Sequence, residues 1–144
     1  MEMTLEDEGA TAALGARLAR ALRPGDAVLL DGPLGAGKSA LARAVLRALA
    51  GDPALEVPSP TFTLVQSYDM PGGMVAHHFD LYRLDGPAAL HELGWEDALA
   101  GVALVEWPGR LGPLAPPGAL RVRLDHAGGD RRRATLSGWE GRAW

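Results

Sequence analysis

A chain of 144 residues fits one compact domain with a continuous core and leaves no room for a second catalytic unit. It has no cysteine, which excludes thiolate chemistry, disulfide stapling and cysteine-based zinc sites. Its net charge of -4 argues against sequence-blind binding of nucleic acid. No segment is apolar over a bilayer's width, and the acidic start, Met1 to Glu8, has the wrong sign for a secretion signal, so a cytoplasmic protein with no membrane partner is expected. The composition favours Ala, Gly, Pro and Arg, and its only lysine is Lys38.

In chain order, Thr4 or Asp7 is expected to cap a first helix carrying Leu14, Leu18 and Leu22. Arg17, Arg20 and Arg23 fall late in it, where positive charge suits the dipole, and Pro24-Gly25 ends it. Ala27 to Leu30 is a short apolar run expected of a strand buried on both faces, although the run alone fits a helix fragment equally well. The glycine-rich stretch Gly32 to Ser39 follows, then a second helix to about Ala50 with Leu41, Val45, Leu46 and Leu49 on its apolar side. Gly51-Asp52-Pro53 closes that helix, and Glu56 to Pro60 reads as an irregular connection.

Alternation then predicts a strand from Thr61 to Tyr68, a turn at Pro71 to Gly73 and a strand from Met74 to Tyr82, the two forming an antiparallel hairpin. Short helices are expected over Pro87–Leu93 and Trp95–Leu99. Val102 to Val105 is a second apolar strand, running into Glu106-Trp107-Pro108, and prolines leave Gly109 to Gly118 irregular. Leu120 to Leu124 alternates apolar and charged residues, and His126 to Asp130 turns the chain into a closing strand from Arg131 to Ser137. No repeat or composition break divides the chain, so residues 1–144 form one domain.

The stretch from 32 to 39 matches G-x-x-x-x-G-K-[ST] in full, a pattern expected by chance roughly 0.001 times in a chain of this composition. Its glycines let backbone amides turn inward as an anion nest, and the following helix aims its N-terminal amides at the same point. A nucleotide triphosphate is therefore expected on Gly32, Pro33, Leu34, Gly35, Ala36, Gly37, Lys38, Ser39 and Ala40, with Lys38 on the terminal phosphates and the Ser39 hydroxyl on magnesium. ATP and Mg2+ are the expected cofactors.

Magnesium needs a carboxylate, and Asp31 stands too close to the loop entry. Asp80 and Glu106 sit at strand ends, where such acids belong. Strand periodicity groups Asp80 with Ala76, His78 and Tyr82. Asp80 with Ser39 is expected to hold the metal. Glu106 is expected to act on the metal's water shell or on the attacking water, with Trp107 packed beside it. His78 reads either as a partner of Asp80 or the nucleotide or as a structural histidine, the latter preferred. His91 and His126 lack metal-like spacing. Arg131-Arg132-Arg133 reads as a solvated sheet edge, with Arg132 facing opposite to its neighbours.

Leu34 to Ser39, Ser59-Pro60-Thr61-Phe62, His78 to Arg83 and Val105 to Pro108, in this order, resemble the TsaE (YjeE) family, the small bacterial ATPases of tRNA threonylcarbamoyladenosine synthesis. The likeness spans nearly the whole chain, with Ser39 where threonine is commoner and His77 as an extra histidine before His78. It implies an α/β three-layer sandwich of the P-loop NTPase type, with a mostly parallel central sheet and antiparallel additions. It also implies Asp80 and Glu106 at the magnesium and catalytic region and Thr61 near the terminal phosphate. The implied partners are the TsaD–TsaB pair, with tRNA held mainly by them. The implied activity is ATP hydrolysis, and since no domain is visible to close over the nucleotide the chain is expected to be a weak ATPase alone, with Lys38, Glu106 and Thr61 as catalytic residues. A small-molecule or nucleotide kinase is the alternative, permitted by length and phosphate loop, although no arginine-rich lid or acceptor domain is visible. A nucleotide-dependent binding module with negligible turnover is the third reading.

Overall fold

The computed structural model describes residues 1–144. Two apolar segments, β2 (Ala27–Asp31) and β5 (Val102–Glu106), lie side by side at the sheet centre, because only a strand covered on both faces buries side chains of both parities. Val28, Leu30, Val102 and Leu104 enter one core, and Ala27, Leu29, Ala103 and Val105 enter the other. The remaining strands are β1 (Glu2–Leu5), β3 (Val65–Asp69), β4 (Val75–Asp80), β6 (Leu120–His126) and β7 (Arg132–Ser137). They complete the order β1-β7-β6-β2-β5-β4-β3. The four inner strands β6, β2, β5 and β4 run parallel, while β3, β7 and β1 are antiparallel additions.

One face is covered by α1 (Glu8–Ala21) and α2 (Lys38–Ala50), which bury Leu14, Leu18, Leu41, Val45 and Leu46. The Asp7 carboxylate caps α1 by accepting from the Ala10 amide at 2.9 Å. A left-handed Gly51 ends α2. The other face is covered by α3 (Trp95–Ala98) and the 3-10 segments Pro87–Leu93 and Pro108–Leu114, where Trp95 meets Phe79 edge-on at 5.2 Å. The expected three-layer α/β sandwich is thus present.

Three local expectations are corrected. The first concerns the N-terminus, where β1 precedes α1 and Asp7, not Thr4, is the cap. Since β1 pairs with β7, the arginine triplet is not a sheet edge. The second is the strand expected from Thr61, which begins at Val65. The Leu64 amide turns back to the Pro60 carbonyl at 2.7 Å, and Phe62 is 82 % exposed, so its apolar character does not signal burial. The third, an irregular Gly109 to Gly118, is corrected only in part: Pro108–Leu114 holds two short 3-10 turns that meet at a kink at Gly112, and Ala115 to Gly118 is irregular as expected. There Pro108 occupies a first-turn position, where its missing N–H costs nothing.

Candidate functional site

The loop from Gly32 to Gly37 leaves the carboxyl end of β2 and enters α2 at Lys38. At Gly32 the backbone φ is 141°, and a Cβ there would lie 2.2 Å from the Leu124 carbonyl oxygen, so the first loop position admits only glycine. Gly37, the α2 N-cap, is left-handed, and its carbonyl accepts from the Leu41 amide at 2.9 Å. The loop thus delivers the chain to the N-terminus of α2, whose first-turn amides lack partners within the helix, a setting that suits an anion.

A cavity of about 370 Å³ opens over this loop. Its lining comprises Leu34, Gly35, Gly37, Lys38, Ser39, Ala40, Ser59, Thr61, Asp80, Glu106 and Trp107. Ala36 is fully buried beneath the loop, Gly32 is buried, and Pro33 is exposed at its outer side. All the expected site residues are thus drawn to one end of β2, β4 and β5 or to the loop beside it. Lys38 Nζ donates to the carbonyls of Gly32 at 2.6 Å and Pro33 at 2.9 Å, and stands 4.0 Å above the Trp107 ring. Burial pushes this ammonium below its ordinary pKa, opposed by Glu106, Asp31 and Asp80.

The two acids differ in their partners. Glu106 is held on both oxygens: the Ser39 hydroxyl donates to Oε1 at 2.8 Å, and His78 Nε2 lies 2.6 Å from Oε2. The parallel register explains the contact, because His78 pairs with Leu104 and Asp80 with Glu106 on adjacent strands of one face. His78 is therefore a partner of Glu106, which the preferred structural reading missed. Its Nδ1 is buried without a partner. Asp80 Oδ1 accepts from the Tyr82 amide at 3.1 Å, and burial pushes its carboxyl up, aided by Glu106, against the lowering effect of that amide, His78 and Lys38. Tyr82 lies beyond β4 and is half exposed, so it does not share the Asp80 face as periodicity suggested.

Asp80 and Glu106 are both buried, and neither is salt-bridged to a lysine or arginine. An added cation would relieve that burial. No three His, Cys, Asp or Glu side chains gather as a dedicated metal cluster. The donor set of one hydroxyl and two carboxylates fits magnesium, which needs few protein ligands and keeps its waters.

Around the cavity, Ser59 Oγ and Thr61 Oγ1 are 2.6 Å apart, and Tyr82 packs on Trp107 at 5.0 Å. Trp107 itself has a left-handed backbone, φ 59°, a strained conformation for an aromatic residue. Sequence reasoning overlooked Ser59 as a lining residue and placed Arg132 on a solvated edge. The Arg132 guanidinium instead lies against the loop, with Nη2 3.4 Å from the Gly35 carbonyl. The only advance sign was its alternation away from Arg131 and Arg133.

A parallel sheet carrying this loop after its central strand belongs to the P-loop NTPase type of α/β fold. Bacillus subtilis YdiB, a solved structure, superposes with a TM-score of 0.78 at 27% identity over 96% of this chain and 84% of that one. The family model described as threonylcarbamoyl adenosine biosynthesis protein TsaE matches residues 5–134. The chain belongs to the TsaE family. A tRNA threonylcarbamoyladenosine biosynthesis protein TsaE of Rickettsia conorii is 37% identical over 92% of this chain and 75% of its own length. Its Synechocystis counterpart is 42% identical over 79% and 74%.

Proposed function

We propose that this chain is the magnesium-dependent ATPase component of tRNA threonylcarbamoyladenosine synthesis, acting in the cytoplasm with the TsaD–TsaB pair. The observation that carries the ATPase reading is the single cavity joining the anion cradle, the lone lysine and two buried carboxylates. ATP lies with its phosphates on the Gly32–Ala40 segment, and Lys38 exchanges its loop carbonyls for the terminal phosphates. Ser39 and Asp80 hold magnesium, with Glu106 close enough to act on its water shell. When bound, the metal would neutralise charge on the phosphates.

Glu106 has a second duty in this reading. Its position is fixed by His78, and a carboxylate held in place beside the phosphate cradle suits orientation of the attacking water. Thr61 approaches the terminal phosphate from the Ser59–Leu64 turn. TsaD and TsaB complete the site in this reading, docking where Leu34, which lines the cavity, and Phe62, next to the lining residue Thr61, stand exposed. The transfer of threonylcarbamoyl to tRNA belongs to those partners.

Phosphate release is to be followed with Mg-ATP for the chain alone, with the partner pair, and with the pair plus tRNA. Slow release alone, raised by the pair and abolished by EDTA, is the expected result. Phosphate appearing on an added small-molecule acceptor would favour a kinase, and fast release that never responds to the pair would overturn the partnership.

A further inference from the structure

Asp31 ends β2 one residue before the phosphate loop, too close to the loop entry to serve the metal, and it does not line the phosphate cavity. Glu106 pairs with Leu30 across β2 and β5, so that acid and Asp31 sit on opposite faces of the sheet. On its own face Asp31 lies beside Arg123 of β6, away from α1 and α2. It therefore approaches the loop from the side opposite the metal site.

What Asp31 touches there is Gly32. Its Oδ1 accepts from the Gly32 amide at 2.9 Å, while Arg123 Nη1 lies 3.5 Å from its Oδ2. The same guanidinium meets Asp125 at 3.1 Å, which steadies it on β6. Gly32 is buried, and a buried amide left without a partner is costly, so the bond to Asp31 matters to the loop. The glycine is then held at three points. Its amide is tied to Asp31, its α-carbon faces the Leu124 carbonyl with no room for a side chain, and its own carbonyl accepts from Lys38 Nζ at 2.6 Å. The first two contacts set the direction of the third.

We infer that Asp31 is a positioning residue of the phosphate loop: by accepting from the Gly32 amide it aims the Gly32 carbonyl that receives Lys38, and so places the lysine beside the phosphate seat. The inference rests on the ATP reading above and concerns a residue that touches neither nucleotide nor metal. Its charge and its hydrogen bond act in opposite directions. The negative charge repels bound phosphates, whereas the bond keeps their seat in shape.

Titration calorimetry of the full chain with Mg-ATP separates the two effects. Asp31→Asn keeps an oxygen for the Gly32 amide and drops the charge, so it should bind at least as tightly as the wild type. Asp31→Ala drops both and should bind about tenfold more weakly than Asp31→Asn, the worth of one hydrogen bond. Asp31→Val, which suits a strand end and also lacks an acceptor, serves if the alanine variant fails to fold. Equal affinities in the asparagine and alanine variants, raised or lowered alike, would leave charge as the only effect and overturn the inference. Hydrogen exchange of the Gly32 amide, read by NMR without nucleotide, should be slow in the wild type and Asp31→Asn and fast in Asp31→Ala. Fast exchange in the wild type, or slow exchange that persists in Asp31→Ala, would overturn the inference whatever the nucleotide does. A wild type with a slow Gly32 amide that binds no Mg-ATP would instead overturn the ATP reading itself.

Discussion

Lys38, Glu106 and His78 form a graded set of tests, because each touches the site through a different number of intermediaries. Lys38→Ala removes the lone lysine from the cradle and is expected to weaken Mg-ATP by at least about 100-fold by calorimetry, the loss of one or two charge-assisted hydrogen bonds. Glu106→Gln keeps the shape but not the charge, and is expected to cut turnover by about 100-fold while changing nucleotide affinity far less. The reverse pattern, with Asp80→Asn sparing the magnesium requirement, would mean the two acids have exchanged roles. His78→Ala leaves every proposed ligand in place and frees only the 2.6 Å contact on Glu106, so about a tenfold fall in kcat at unchanged KM is expected from stopped-time phosphate assays. The loop and both acids were legible in the sequence, since glycines, a lysine and strand-end carboxylates are local signals. The His78–Glu106 pair was not, because it depends on how two strands align 28 positions apart.

At the scale of elements, α1 and α2 approach so closely that Gly15 has no room for a side chain. A Cβ there would stand 2.5 Å from the Cβ of Ala44. Alanine's better helix propensity is worth only about 1 kcal/mol, whereas overpacking costs about 1–3 kcal/mol and a contact this short lies at the upper end. Gly15→Ala is therefore expected to lower stability in urea melts in spite of its propensity gain. The Ser59–Leu64 turn offers a test of a different kind. Thr61→Ala should weaken the stimulation of phosphate release by the partner pair, measured at fixed Mg-ATP with and without the pair. This turn was misread as strand because Phe62 and Leu64 alternate with polar residues. The structure spends that alternation on an exposed ring under the Arg83 guanidinium, 4.9 Å away, and on a left-handed Leu64. Helices α1 and α2 and strands β2 and β5 were read correctly because caps, glycines and unbroken apolar runs are written within each segment.

For the whole molecule, the tail after β7 acts as a clasp. Arg142 donates to both oxygens of Asp26, at 2.9 and 2.6 Å, contacts the Ala21 carbonyl and lies 4.1 Å over the Trp139 ring. Trp139 in turn meets Trp144 edge-on, and Arg17 stacks on Trp144 at 4.6 Å. Burial alone would raise the Asp26 carboxyl, but the Arg142 bond, the Arg23 amide and both charges hold it below its ordinary value. A depressed carboxyl contributes stability above the ordinary aspartate range and loses it as pH falls through the lowered value. Arg142→Ala is accordingly expected to cost about 2 kcal/mol near neutral pH, with the deficit shrinking in strong acid to what the Ala21 and Trp139 contacts leave, as measured by urea melts across pH. Nothing in the sequence announced the clasp, since Arg142 and Asp26 lie at opposite ends of the chain. The same distance hid β1: Glu2 to Leu5 shows no pattern of its own and becomes a strand only by lying along β7.

The β1–β7 pairing also orders events at birth. Strand β1 leaves the ribosome long before its sheet partner, Arg132 to Thr135, which lies about 130 residues further on. Strand β2 fares little better, since Ala27 must wait for Ala103 and Val28 for Leu120. Only β3 and β4 find each other quickly, across the short turn at Pro71 to Gly73. Through most of translation the apolar β2 is therefore an unpaired strand, the kind of segment that invites aggregation or a chaperone. Strand β1 thus waits for β7, the one neighbour it pairs with.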